Sequence, residues 1–247
     1  MMVGLTRIRN EELIIEDTLN HLSEFCERIY IFDDASEDGT VGICKAHPNV
    51  VEVLQAPSWD ADQMWVQGAQ RYELFEHAKS HESDNWYVYI DADERLDVDP
   101  QFLRSDNSEL QGYSAVVMLL LDFYLTPDDH APYQRGADLK ELRQWVGSES
   151  RDILIAFTRQ ARYPEVGGYR MPRVPGPALK RGFVRHYGKA ISVQQFEETC
   201  DYYAQYVPNL ASKWAARKGK AIHTVPDFGR QLLSYEDAKQ LLGQEFF

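Results

Sequence analysis

Cysteine is scarce in this chain, positive charge is in deficit and long apolar runs are missing. The three cysteines, Cys26, Cys44 and Cys200, share no CxxC spacing and leave an odd count. That argues against a disulfide framework, a zinc knuckle or a dithiol redox centre, and leads us to expect reduced thiols in a cytoplasmic protein. No apolar run approaches the roughly 20 residues that a membrane-spanning helix needs, and Met1 to Arg7 lack the layout of a secretory leader. No integral span is therefore expected, and peripheral membrane association stays open. Lys and Arg number 26 against 39 Asp and Glu, a net charge of −13. A surface so acidic does not suit general nucleic-acid binding. It does leave room for a phosphate ligand held locally by a metal and a few basic side chains.

What is present is a globular composition: 247 residues, 44% hydrophobic and 12% aromatic, enough for one large α/β domain or a domain with a small appendage. The most informative stretch runs from Trp86 to Asp97. Trp86-Tyr87-Val88-Tyr89-Ile90 is wholly apolar and too short for a helix, so it reads as a strand buried on both faces. It passes at once into Asp91-Ala92-Asp93-Glu94. If the chain stays extended there, Asp91 and Asp93 point the same way, into the crevice beyond the carboxyl edge of the sheet. Two carboxylates about 4 Å apart repel by roughly 4 kcal/mol at an effective dielectric near 20, so such a pair wants a cation, a shared proton or wide exposure. Oxygen ligands at this spacing suit Mg²⁺ or Mn²⁺. A solvated acidic turn after a core strand is the other reading.

The flanking chain alternates strand and helix. Met2 to Thr6 reads as a strand, Asn10 as an N-cap with Glu11 and Glu12 behind it, and Ile15, Leu19, Leu22 and Phe25 as the apolar face of a helix. Arg28 to Phe32 reads as a second strand, ending in Asp33-Asp34-Ala35-Ser36-Glu37-Asp38-Gly39-Thr40. A short helix over 40–47, a strand over 50–54 and a long helix over 60–79, with Trp65, Ala69, Tyr72 and Phe75 on one stripe, precede the central strand. Such alternation predicts right-handed crossovers and a mainly parallel sheet. Further strands are expected over 113–121, 153–157 and 183–189, with a short helix over 138–146. The Pro- and Gly-rich stretch 162–182 reads as a loop, and either a lid over an anionic ligand or a surface connection. Ser192 and Gln195 form a capping box for a helix ending at Pro208.

Taken in order, Arg9-Asn10-Glu11, Asp33-Asp34-Ala35-Ser36-Glu37-Asp38-Gly39-Thr40, Asp91-Ala92-Asp93-Glu94 and the late His186-Tyr187-Gly188 each follow a strand. This set resembles that of family 2 glycosyltransferases with the GT-A fold, of the compact bacterial type, over roughly residues 2 to 205. The resemblance implies an α/β, Rossmann-related central sheet flanked by helices. It divides the chain into a GT-A-like domain over 1–207, with a nucleotide-binding half over 1–100 and an acceptor-binding half over 101–207, followed by a C-terminal helical extension over 208–247.

It also implies a nucleotide-sugar donor, UDP-linked by preference, and Mn²⁺ or Mg²⁺. Asp33 and Asp34 would meet the base and ribose. Asp93 would touch the metal, Asp91 the ribose or the metal, and His186 would complete the metal shell from the far side. Arg71 and Lys189 would lie near the diphosphate and Arg9 near the nucleotide. The implied reaction is inverting, hexosyltransferase-like transfer to a glycan or glycolipid hydroxyl, as in bacterial polysaccharide or lipopolysaccharide assembly. A catalytic base is expected after the central strand, where the usual Glu-Asp pair is missing, and Glu149, Asp152 and Glu165 are its candidates. Two other readings stand beside this one: a nucleotide-sugar-binding protein of the same fold without catalysis, and a metal-dependent phosphohydrolase. Against the second, hydrolases with an Asp-x-Asp pair carry it after their first strand.

Overall fold

The structure is a computed structural model that describes residues 2–164, 170–226 and 231–247, with Gln63, Met64 and Trp65 described by backbone alone. The first half builds β1 (Met2–Ile8), α1 (Ile15–Leu22), β2 (Cys26–Asp33), α2 (Thr40–Ala46), β3 (Val50–Gln55), α3 (Gln63–His81) and β4 (Trp86–Tyr89). These strands lie in the order β3-β2-β1-β4, all parallel. The chain winds outward through β2 and β3 and then crosses back to the other side of β1. That reversal opens a crevice at the carboxyl ends of β1 and β4.

The second half extends the same sheet with β5 (Glu94–Asp97), β6 (Ala115–Phe123), α4 (Leu139–Leu142), β7 (Trp145–Thr158) and β8 (Ala178–His186). Next come α5 (Val193–Tyr206), α6 (Ala211–Ala215), β9 (Leu233–Ser234) and α7 (Tyr235–Leu242). The full order is β3-β2-β1-β4-β7-β6-β8-β5, with β9 on β7. The protein is thus α/β, with a GT-A-like, Rossmann-related central sheet flanked by helices and a helical extension at its C-terminus. Among the described residues no helix is long and apolar enough to cross a membrane.

Core packing follows the expected stripes. Ile15, Leu19 and Leu22 of α1 are fully buried on one face of the sheet. On the other face Phe75 of α3 meets Tyr87, Phe157 and Tyr163 edge-on, with ring centroids 5.1, 5.4 and 5.8 Å away. Burial of each such ring contributes about 1.5–3 kcal/mol, so α3 is held over the crevice by its packing. The side chain of Trp65 lies outside the described residues. Cys26, Cys44 and Cys200 are free and buried.

Several local expectations change, among them the strand expected over 183–189, which runs instead over Ala178–His186 and takes in the end of the expected loop. Asn10 does not cap α1, which starts at Ile15 with no side-chain cap. Asn10 adopts φ +54°, a conformation its short amide tolerates. Its backbone N–H donates to Ser36 Oγ at 2.8 Å while its Oδ1 accepts from Glu37 N–H at 2.8 Å. It therefore braces the loop after β2. The expected helix over 138–146 shrinks to α4, and β7 starts eight residues before Ile153, taking in the polar run 147–152. Pairing of Ser150, Arg151 and Asp152 with Leu121, Leu120 and Leu119 of β6 outweighs weak local strand propensity. Finally, the chain turns at Asp91, whose carbonyl accepts from Glu94 N–H at 3.1 Å, and reverses into β5.

Candidate functional site

The crevice at the ends of β1 and β4 widens into a cavity of about 750 Å³, floored by β1 and the acidic turn and walled by α3, β7, α5 and α6. Arg9, Arg71, Asp91, Asp93, Glu149, His186 and Lys189 all line it. Asp33, Asp34 and Asp152 do not, and Glu165 lies outside the described residues.

Asp34 lies beneath the floor, fully buried. Arg7 Nη2 reaches its Oδ2 at 2.6 Å and Gln70 Nε2 donates to its Oδ1 at 2.6 Å. Asp33 is equally buried; its Oδ2 accepts from Ser36 N–H at 3.0 Å, while its Oδ1 has no hydrogen-bond partner among the described residues. Arg9 donates to the Asp34 carbonyl at 3.1 Å and lies over the Trp59 ring, 4.7 Å from its centroid. Trp59 in turn meets Tyr206 of α5 edge-on at 4.7 Å. These contacts tie α5 across the rim of the cavity beside β1 and β2.

The acidic turn divides its carboxylates between two jobs. Asp91 accepts from Tyr89 O–H at 2.9 Å and lies 3.4 Å from Arg170 and 3.8 Å from Arg71. Burial by itself would raise its pKa, but Arg170 and Arg71 prevail and hold it at about 2. Glu94, fully buried where the Asp91 side chain is 31% exposed, accepts both arms of Arg170 at 2.6 and 2.5 Å and the Asp91 N–H at 3.0 Å. The repulsion expected within Asp-Ala-Asp-Glu is therefore met by protein cations on one side.

Asp93 faces the other way, its Oδ2 3.3 Å from His186 Nε2. Sheet register fixes this histidine: β8 places His186 opposite Asp122 of β6 and opposite Glu94 of β5. His186 Nδ1 contacts Asp122 Oδ1. Burial opposes the imidazolium, yet Asp93 and Asp122 on either side raise its pKa to about 10. Gly188 roofs the pair, since a Cβ there would lie 2.6 Å from Asp93 Oδ2 and 3.0 Å from His186 Nε2.

Among the described residues no group of three or more His, Cys, Asp or Glu is drawn together as a closed metal site. Asp93 and His186 nevertheless fit as two donors to one cation. Adjacent ligands of an octahedral ion bound at 2.0–2.1 Å stand about 3 Å apart, close to the 3.3 Å observed. With glycine at 188, no side chain from that position covers the pair. Asp91 fits less well, because Tyr89, Arg71 and Arg170 already surround it.

Of the three base candidates, Glu149 alone has a described position in the cavity. Its Oε1 accepts the Tyr124 hydroxyl, and its Oε2 is buried with no hydrogen-bond partner among the described residues. Gly147 makes room for it, because a Cβ there would collide with the carboxyl group. Lys189 Nζ donates to the Tyr124 hydroxyl at 3.0 Å. Asp152 is half exposed and paired with Lys180 at 3.0 Å, away from the cavity.

Sequence reasoning missed Asp122, Tyr124, Arg151 and Arg170. Asp122 had a signal, since it ends the apolar run Met118-Leu119-Leu120-Leu121 in the way that Asp91 ends the central strand. Arg170 had none, standing in a loop whose path no periodicity reveals.

No protein-family model matches the chain. Two uncharacterized proteins, Rv3786c of Mycobacterium tuberculosis and Mb3815c of Mycobacterium bovis, are each 28% identical to it over 99 residues, which is 40% of this chain and 24% of theirs. The match thus spans about a quarter of those relatives' length. Among solved structures, S. aureus TarS 1-349 in complex with UDP matches over 88% of this chain and 71% of that chain, with 13% identity and a TM-score of 0.42. A longer TarS structure matches over 54% of this chain and 23% of its own, with 19% identity and a TM-score of 0.37. Glucosyl-3-phosphoglycerate synthase from Mycobacterium tuberculosis, in complex with Mn²⁺, UDP and glucosyl-3-phosphoglycerate, matches over 50% and 44%, with 18% identity and a TM-score of 0.32.

Proposed function

We propose that this chain is a glycosyltransferase of the family 2 type that moves a hexose from a nucleotide-diphosphate sugar, UDP-linked by preference, to a hydroxyl of a glycan or glycolipid. The observation that carries the reading is a single cavity that holds the Asp93–His186 donor pair, the cations Arg71 and Lys189, and the Glu149 carboxyl group. A volume of about 750 Å³ is in the range of sites that enclose a ligand of nucleotide-sugar size. On this reading residues 1–100 bind the nucleotide, 101–207 the acceptor, and 208–247 form an extension. A cytoplasmic setting and bacterial polysaccharide or lipopolysaccharide assembly complete the proposal.

Asp93 and His186 would hold the Mn²⁺ or Mg²⁺, which when bound supplies Lewis-acid stabilisation of the charge on the departing diphosphate. Arg71, fixed by Tyr89 at 2.8 Å, adds positive charge on the nucleotide side. Glu149 Oε2 takes the acceptor proton as the acceptor oxygen bonds to the anomeric carbon and the bond from that carbon to the phosphate oxygen breaks. One displacement from the opposite face inverts the centre. The Tyr124 hydroxyl orients Glu149 through its Oε1, leaving Oε2 for the proton.

A thermal-shift and calorimetric screen of UDP, GDP, dTDP and CDP, each with Mn²⁺ and with EDTA, tests the donor site. Metal-dependent stabilisation by one nucleotide is expected, followed by turnover of the matching nucleotide sugar. Stabilisation without turnover across an acceptor panel would favour a binding protein; no stabilisation in folded protein would overturn the reading.

A further inference from the structure

We propose that Asp122 is the positioning residue that fixes the His186 imidazole, so that Nε2 is turned to Asp93 and the cavity as a ligand for the cation. The inference rests on the reading of a metal-dependent donor site and adds to it a residue with no place in the motifs that suggested that reading.

The geometry is imposed by backbone pairing. Asp122 and His186 are register partners across the parallel ladder of β6 and β8, so their side chains rise from the same face as immediate neighbours. Asp122 is buried at 4% exposure. Its Oδ1 engages His186 Nδ1, and its Oδ2 accepts from Arg151 Nη1 at 2.7 Å with Lys189 Nζ 3.8 Å away. A carboxylate pinned between two cations cannot swing, and an imidazole whose Nδ1–H is held by it has one orientation left. With a cation held at Nε2, Nδ1 would carry the proton, and Asp122 is the group that would select this tautomer and strengthen Nε2 as a donor.

The arrangement reaches further than the histidine. Lys189, close to Asp122 Oδ2, also donates to the Tyr124 hydroxyl, which engages Glu149. Asp122 and Tyr124 lie two residues apart at the end of β6. One strand end thereby braces the Asp93–His186 donor pair on one side and the Glu149 carboxylate on the other.

The test is Mn²⁺ binding, followed by electron paramagnetic resonance and by calorimetry, in the full chain saturated with UDP. For Asp122→Ala we expect Mn²⁺ affinity to fall by about 10- to 100-fold, a larger change than that in UDP affinity in EDTA. Asp122→Asn, whose Oδ1 still accepts from Nδ1–H, should recover part of the loss. In a His186→Ala background, Asp122→Ala should cost no further affinity, because the histidine it positions has gone; equal losses in both backgrounds would mean a merely structural role. Wild-type affinity in Asp122→Ala would overturn the positioning role alone. Failure of the wild-type chain to take up Mn²⁺ would overturn the metal reading and the positioning role with it. Should Asp122→Ala not fold, Asp122→Asn in the two His186 backgrounds gives the same comparison.

Discussion

Gly188 and Asp93 are in van der Waals contact across the cavity wall: a Cβ on Gly188 would stand 2.6 Å from Asp93 Oδ2. The glycine does not occupy the left-handed region, so alanine there brings no backbone strain, only a collision with the carboxylate and the imidazole beside it. Gly188→Ala should weaken Mn²⁺-dependent UDP binding by about tenfold or more, equivalent to roughly 1.4 kcal/mol. Calorimetry with Mn²⁺ and with EDTA checks this, and an equal loss in both would mean that the glycine serves the nucleotide and not the cation.

Glu149 and Asp152 stand three residues apart on β7 and have opposite surroundings. Glu149 is in the cavity with one oxygen unpartnered among the described residues, and Asp152 is outside it, paired with Lys180. Glu149→Gln should lower kcat by about 10²–10⁴ with little change in donor KM. Asp152→Asn should stay within about twofold of wild type, since surface changes of this kind are usually near neutral. Comparable losses in both would remove Glu149 from the role assigned to it.

How much of this was legible depended on whether the signal was local. β1, β2 and β4 are short apolar runs closed by polar or acidic residues, and buried parallel strands must read that way. β7 was only half legible: Ile153 to Phe157 is apolar, but Glu149 to Asp152 is strand only because β6 lies alongside. The same non-local cause hid most of the site. The motifs name Asp93 and His186, which both line the cavity, whereas Asp122 gains its place from register with β8, Tyr124 from its contact with Glu149, and Arg170 from its contact with Glu94. The acids after β2 were legible as residues and not as positions, since nothing in Asp33-Asp34 announces that Arg7 and Gln70 enclose the second carboxylate.

Arg170 is a prediction in its own right. It is the main cation on Glu94, whose side chain is 1% exposed, and removing one partner of such a pair leaves a buried charge. Arg170→Ala should cost about 3 kcal/mol in urea unfolding at pH 7.5. Burial already raises the Glu94 pKa, so without the arginine the carboxyl group takes up a proton more readily in the folded state. A folded-state pKa above the unfolded one makes stability rise as pH falls. The loss should therefore shrink at pH 5, and Glu94→Gln should recover part of it. A loss independent of pH would place the cause elsewhere, in Asp91, which Arg170 also neutralises at 3.4 Å.

His21 provides a second pH dependence, far from the cavity and of the opposite sign. It is 6% exposed on α1, and its Nε2 accepts the Leu96 N–H at 2.8 Å, which requires an unprotonated nitrogen there. Its Nδ1 lies 3.3 Å from Glu24. Burial lowers the His21 pKa and outweighs the pull of Glu24. Protonation thus favours the unfolded chain. The stabilisation is fully present above the unfolded value near 6.5 and is lost as pH falls through the lower folded value. His21→Gln should be less stable than wild type by about 1 kcal/mol at pH 7.5, and the gap should narrow at pH 6.5 and again at pH 5.5. Apart from Glu24, whose pKa the His21 contact lowers, the titrating groups are shared by both proteins, so the difference between their urea midpoints isolates this residue and its partner. A gap that stays constant from pH 7.5 to 5.5 would show that the Leu96 N–H does not depend on a neutral imidazole, and the link between α1 and β5 would then rest on packing and on the Arg95–Asp17 ion pair at 2.7 Å.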